Sequence, residues 1–71
     1  MDLRSVELGQ EFTVKSLKAK DVPALRKLTA MGLREGKRAR VLLKNGRVIL
    51  LRLDNSRLII DKDLAGYIEV A

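Results

Sequence analysis

Three short segments between Arg38 and Asp61 constrain this chain more than any other feature. Arg38–Lys44, 47–53 and Arg57–Asp61 are rich in Val, Leu and Ile, and short links containing Asn45-Gly46 and Asn55-Ser56 separate them. Parallel neighbours need a crossover of a dozen residues or more, so links this short demand an antiparallel meander. The first turn is tested against the apolar pattern. A two-residue Asn-Gly hairpin pairs Leu43 with Val48 and splits the apolar residues between both faces. A three-residue loop, Lys44-Asn45-Gly46, with Gly46 left-handed in a bulge, pairs Leu43 with Arg47 and Val41 with Ile49. One face then carries Ala39, Val41, Leu43, Ile49, Leu51 and Leu53. With Asn55-Ser56 as the second loop, Leu53 faces Leu58 and Leu51 faces Ile60, which continues that face. A slip of one residue inverts every side chain, so the bulged register is the one expected.

Upstream, Glu11–Leu17 alternates with Phe12 and Val14 on one side, as a half-buried strand does. Val6-Glu7-Leu8-Gly9 reads as an approach turn and Lys18-Ala19-Lys20 as a polar bridge. Asp21 is the expected N-cap of a helix with Pro23 in its first turn. Leu25, Leu28 and Met31 recur at helical spacing. Gly32 stands where a left-handed residue closes a helix, so Leu33 can fold back on the last turn. Gly36 provides a second turn before the meander. Residues 61–66 read as a single helical turn and 67–70 as a last short strand. Five strands and one main helix in this order predict a small, strongly bent barrel of SH3-like type, mainly β, as one domain over 1–71. Closure would remove its sheet edges.

Composition narrows the function. The 71 residues include no Cys and no His, which removes disulfides, thiolate metal sites and the usual neutral-pH acid/base. No apolar run approaches a membrane span, and Met1-Asp2-Leu3-Arg4 is no signal peptide, so a soluble cytoplasmic protein is expected. Asp61 and Asp63 are too few for a calcium loop and are expected to cap the turn. No P-loop is present, and no histidine activates a serine or threonine. Neither catalysis, a cofactor nor a metal site is expected.

The net charge of +6 is unevenly spread: residues 15–57 hold 13 Lys/Arg against three acids. The bulged register turns Arg38, Arg40, Leu42, Val48, Leu50, Arg52, Arg57 and Ile59 outward, with Leu42 opposite Val48 and Arg40 opposite Leu50. An apolar patch ringed by arginine marks either an interface or a face that another segment covers. Arginine suits carboxylate and phosphate recognition. Met31 and Leu33 fit core packing and also stand at the helix end as candidate contacts. The candidate partner-binding set is therefore Met31, Leu33, Arg38, Arg40, Leu42, Val48, Leu50 and Arg52. RNA is the alternative partner, but Phe12 alternates into the core and Tyr67 alone makes no stacking platform.

Leu3, Gly9 with Val14 and Leu17, "LTAMGLREG" at 28–36, Ala39 and Val41, and "RLIIDKDLAGYIEV" at 57–70 together resemble the FeoA family of ferrous iron transport proteins. The SH3-like domain of iron-dependent repressors is related. The chain departs from the family pattern at Glu35, Asn55 and Ile60, and shortens the loop between the middle strands to Lys44-Asn45-Gly46. The resemblance implies a small non-enzymatic cytoplasmic module that regulates ferrous iron uptake. Its implied partner is the cytoplasmic part of FeoB, a membrane iron transporter with a GTPase domain. Self-association is a further expectation, and the resemblance supplies no iron site.

Overall fold

The computed structural model describes residues 1–19 and 21–71; Lys20, assigned above to the polar bridge, lies outside them. The chain runs through a 3-10 turn (Leu3–Ser5), β1 (Glu11–Leu17), α1 (Pro23–Ala30), β2 (Arg38–Lys44), β3 (Val48–Arg52), β4 (Arg57–Asp61), α2 (Lys62–Ala65) and β5 (Ile68–Val70). All five strands form one antiparallel sheet in the order β4-β3-β2-β1-β5. The meander is β2-β3-β4, as the two short turns required. β1 bends the sheet, because Glu11 to Thr13 pair with β2 while Val14 to Leu17 pair with β5 across an irregularity between Val14 and Ser16. Such a bulge kinks a strand and increases its twist, which curls the ends of the sheet toward each other.

The helix ends as its sequence predicts. Gly32 is left-handed at φ +108°. Its N–H donates to the Thr29 carbonyl, and the Leu33 N–H donates to the Leu28 carbonyl, both at 3.0 Å. That bond pair is the Schellman closure, and it sends Leu33 into the core at 0 % exposure. The helix start differs from expectation. Pro23 occupies the first helical position, so Val22 is the N-cap and no side chain caps it. Asp21 lies one residue too early; only its carbonyl is used, by Arg26. At α2 the expectation holds, with the Asp61 carboxylate accepting from the Asp63 N–H.

Both meander turns differ in detail. Asn45, not Gly46, builds the first: its side-chain oxygen accepts from the N–H groups of Arg47 and Val48, and Gly46 is not left-handed. Asn45 thereby makes the local bonds that a left-handed glycine was expected to make unnecessary. The extra residue sits instead at Leu42, where the β2–β3 register shifts between Val41 and Leu43. Val41 faces Leu51, whereas Leu43 faces Leu50 and Lys44 faces Ile49. Leu43, expected inside, therefore points outward and is 47 % exposed. In the second turn Leu53 bonds to Ser56 around Asp54-Asn55, so Leu51 faces Leu58 and Ile49 faces Ile60. This is a slip of two from the expected register, and a slip of two keeps every side chain on its face. Leu53, Leu58 and Ile60 remain buried.

The core lies between the inner face of the sheet and α1. Phe12, Val14, Ala39, Val41, Ile49, Leu51, Leu58, Ile60, Ile68 and Val70 meet Leu25, Leu28 and Leu33 there. Leu3, from the N-terminal 3-10 turn, is also fully buried. No polar or charged residue is buried among the described residues. At roughly 1.5–3 kcal/mol for each large aliphatic side chain removed from water, this apolar set is the main source of stability. The sheet does not close: β4 has a single neighbour, and the free side of β5 meets the N-terminal segment through Asp2–Glu69 and the Val70 N–H on the Met1 carbonyl.

Candidate protein interaction surface

The outer face of β2, β3 and β4 is organised in cross-strand rows. Glu11 faces Arg40, Arg40 faces Arg52, and Arg52 faces Arg57, so one acid and three arginines form a ladder across four strands. In the neighbouring row Leu43 faces Leu50 and Leu50 faces Ile59. The expected cross-strand neighbours, Leu42 with Val48 and Arg40 with Leu50, are thus replaced by like-with-like rows. Two changes produce them: the loop moves to Gly46-Arg47, closed by the Asn45 N–H on the Val48 carbonyl, and the bulge at Leu42 advances β2 by one residue between the two rows.

The candidate residues separate into groups. Arg40, Arg52 and Leu50 sit centrally in the two rows; Leu50 is half-buried and both arginines are exposed. Arg38 lies at the start of β2, exposed, and its guanidinium donates to Glu11 at 3.1 Å. Leu42 is half-buried within the bulge, and Val48, half-buried opposite Asp61, ends the apolar side. Met31 is half exposed but belongs to a groove between α1 and β4, reached around the sheet edge past Ile59. Leu33 is wholly inside and offers no surface. Leu43 is the exposed apolar candidate that pattern reading missed. Nothing in the alternation of β2 marks the bulge that exposes it.

Charge along the ladder is compensated at one end only. Glu11 takes Arg38 and Arg40 at 3.1 and 3.2 Å, and Arg40 also donates to the Gly9 carbonyl. Arg52 and Arg57 have no acidic partner among the described residues. Like charges set directly opposite each other across strands are unfavourable, so an incoming carboxylate or phosphate relieves a repulsion as well as adding a bond. Beside the ladder, a polar depression of about 390 Å³ is lined by Arg38, Arg40, Arg52 and Asp54. The surface is therefore an arginine row with two of its three charges unmatched, laid against an apolar row. An apolar row beside a charged row makes this face a candidate interaction surface.

Elsewhere the ion pairs are local. Arg4 donates twice to the Asp2 carboxylate, which holds it down at a pKa of about 2. Partial burial pushes Glu69 upward, but bonds from Lys18 and the N-terminal ammonium outweigh it and leave its pKa lowered. Among the described residues no three His, Cys, Asp or Glu side chains converge on a metal-sized space, and no helix is long and apolar enough to cross a membrane.

Comparison with known proteins gives a coherent result. The FeoA domain family matches the chain over residues 1–71. No curated protein matches it significantly. Among solved structures, the iron(II) transport protein A of Clostridium thermocellum is 25 % identical with a TM-score of 0.88, covering 99 % of this chain and 44 % of its own. The present chain thus spans less than half the length of that relative. The FeoA of Stenotrophomonas maltophilia, described as a prokaryotic SH3 domain protein and solved with zinc, also superposes at 0.88. It is 21 % identical and covers all of this chain and 89 % of its own, a likeness of fold that agrees with the SH3-like architecture.

Proposed function

From the premise that this chain belongs to the FeoA domain family, which is implicated in ferrous iron transport, we propose that it is a non-enzymatic regulatory module of ferrous iron uptake. It acts in the cytoplasm by docking on the cytoplasmic part of a FeoB-type membrane GTPase transporter. The docking face is the outer side of β2–β4. One observation carries this: the arginine row Arg40–Arg52–Arg57 lies in register beside the apolar row Leu43–Leu50–Ile59. An acidic, apolar protein surface satisfies both rows at once. The arginines fix orientation and the leucines supply most of the binding energy, because exposed ion pairs contribute little and buried apolar area contributes more.

The test is Leu50→Glu, read as binding to the purified cytoplasmic domain of a FeoB-type transporter. A carboxylate at the centre of the apolar row is expected to weaken binding by tenfold or more, since centrally buried contacts dominate such interfaces. The free protein should keep its circular-dichroism spectrum, because Leu50 is half-buried on the solvent side of the sheet. Unchanged affinity would refute the assignment of this face. An RNA-binding reading gains no support from the face: Phe12 is 4 % exposed, Tyr67 lies next to β5, and no aromatic residue stands in either row. A steep loss of binding with added salt would mark a phosphate-driven complex instead.

A further inference from the structure

The two edges of this sheet are treated differently. The free side of β5 is covered by residues 1 and 2 through the Asp2–Glu69 bridge and the Val70-to-Met1 hydrogen bond. β4 has β3 on one side and, among the described residues, no strand on the other. Bonds at both ends of the β3–β4 ladder set its phase: the Leu53 N–H donates to the Ser56 carbonyl, and the Lys62 N–H donates to the Arg47 carbonyl. Since bonded pairs alternate along an antiparallel ladder, Leu58 and Ile60 bond to β3, whereas Arg57 and Ile59 aim their N–H and C=O groups outward. The Asp61 N–H points the same way, while its carbonyl, as the N-cap of α2, takes the first bond of that helix. No turn or loop bond among the described residues takes up the backbone groups of Arg57 or Ile59. Natural edges are usually blunted by Lys, Pro, a bulge or a cover. Here Ile59 stands at the middle of the edge, 69 % exposed, and the strand has neither proline nor bulge.

We propose that the β4 edge is a self-association site, where a second copy of this chain adds its own β4 antiparallel about a two-fold axis through Ile59. The segment Arg57-Leu58-Ile59-Ile60-Asp61 is self-complementary in that register. Ile59 meets Ile59 of the second copy, and the two exchange both of their outward backbone bonds. Arg57 falls opposite Asp61 of the second copy, and Asp61 opposite its Arg57, so both ends of the junction carry opposite charges. Such an interface is isologous and closes at two copies. It also completes the outer rows. The arginine ladder begins at Glu11 and ends unmatched at Arg57; pairing supplies the second copy's Asp61 at that open end. The apolar row Leu43–Leu50–Ile59 continues through the axis into its own copy. The groove between α1 and β4, lined in part by Ala24, Lys27, Leu28 and the half-exposed Met31, opens beside this edge. The axis does not require the transporter, so this proposal and the preceding one can fail separately.

Sedimentation equilibrium of the full chain over a concentration series tests it, together with Arg57→Glu, Asp61→Lys and their equimolar mixture. The unaltered chain should show a monomer–dimer equilibrium. Each single variant sets like charges opposite each other at both ends of the junction, and should weaken association roughly tenfold or more. Mixed together, the two variants restore opposite charges at both positions and should recover the dimer. Ile59→Pro is the control that does not depend on the α2 cap: it removes the outward N–H but no bond to β3, and should yield a folded monomer. A monomer at every concentration overturns the proposal. So does a dimer indifferent to Arg57→Glu and Ile59→Pro, or a mixture that stays as weak as its components.

Discussion

Lys44 illustrates what single side chains decide in this protein. Sequence alternation places it in a loop, yet its ammonium donates to the carbonyls of Arg4 and Val6 at 2.6 and 2.9 Å. It therefore ties the end of β2 to the close of the N-terminal 3-10 turn, where carbonyls lack partners. Asp2 secures the other side of that turn. Its carboxylate accepts from the Arg4 side chain and backbone N–H, and its pKa drops from 3.8 to about 2. A lowered folded-state pKa stabilises the fold wherever the carboxylate is ionised in both states. The contribution is therefore complete above about 3.8 and is lost as pH falls through about 2. Asp2→Asn should remove that part of the acid sensitivity. In acid titrations followed by circular dichroism, the stability difference between the two proteins should shrink below pH 4 and vanish near pH 2.

Among the elements, α1 depends on its C-terminus more than on its start. Eight residues are too few for a helix to persist alone, and no side chain caps Val22. Packing of Leu25 and Leu28 and the Gly32 closure must hold it in place. Gly32→Ala meets only an ordinary 3.7 Å contact with Leu53, so its cost comes from the left-handed backbone. That cost is about 1–2 kcal/mol, or a fall in Tm of roughly 5–15 °C for a domain this small. Thermal unfolding measures it directly. A Tm that did not move would mean that the helix ends by packing alone. β2 is the element that shapes the candidate surface. Its bulge at Leu42 moves Leu43 to the outside, and together with the turn at Gly46-Arg47 it sets Arg40 beside Arg52 and Leu43 beside Leu50.

At the scale of the whole molecule, the N-terminal segment is part of the core rather than an appendage. Leu3 is fully buried, and residues 1 and 2 cover the β5 edge. Leu3→Ala should cost about 2–5 kcal/mol, the usual range for a buried leucine. Stability of order 0.05–0.15 kcal/mol per residue leaves a chain of this size little in reserve, so the variant should be largely unfolded or close to it. The midpoint of denaturant unfolding measures this. A midpoint within error of the unaltered chain would show that Leu3 is dispensable. The same view separates the two sheet edges: one is covered by its own chain, and the other carries Ile59 into solvent.

The sequence by itself determined the element order, the helix stop at Gly32, the antiparallel meander and almost all of the inner face. These follow from period, from turn chemistry and from the rule that apolar residues on one side of a strand share a fate. It also determined that Arg40, Leu50 and Arg52 would lie outside. Tertiary structure decided the registers, because hairpins shifted by two residues bury the same side chains and alternation cannot tell them apart. It decided the position of the bulge, since Asn45 satisfies the turn and leaves Leu42 to absorb the extra residue. It drew Leu3 inward to cover the core beside β5, a role that no local pattern encodes. It also left the outer edge of β4 without a strand among the described residues, because whether a sheet closes depends on how far its strands bend together, and that is set by the assembled chain.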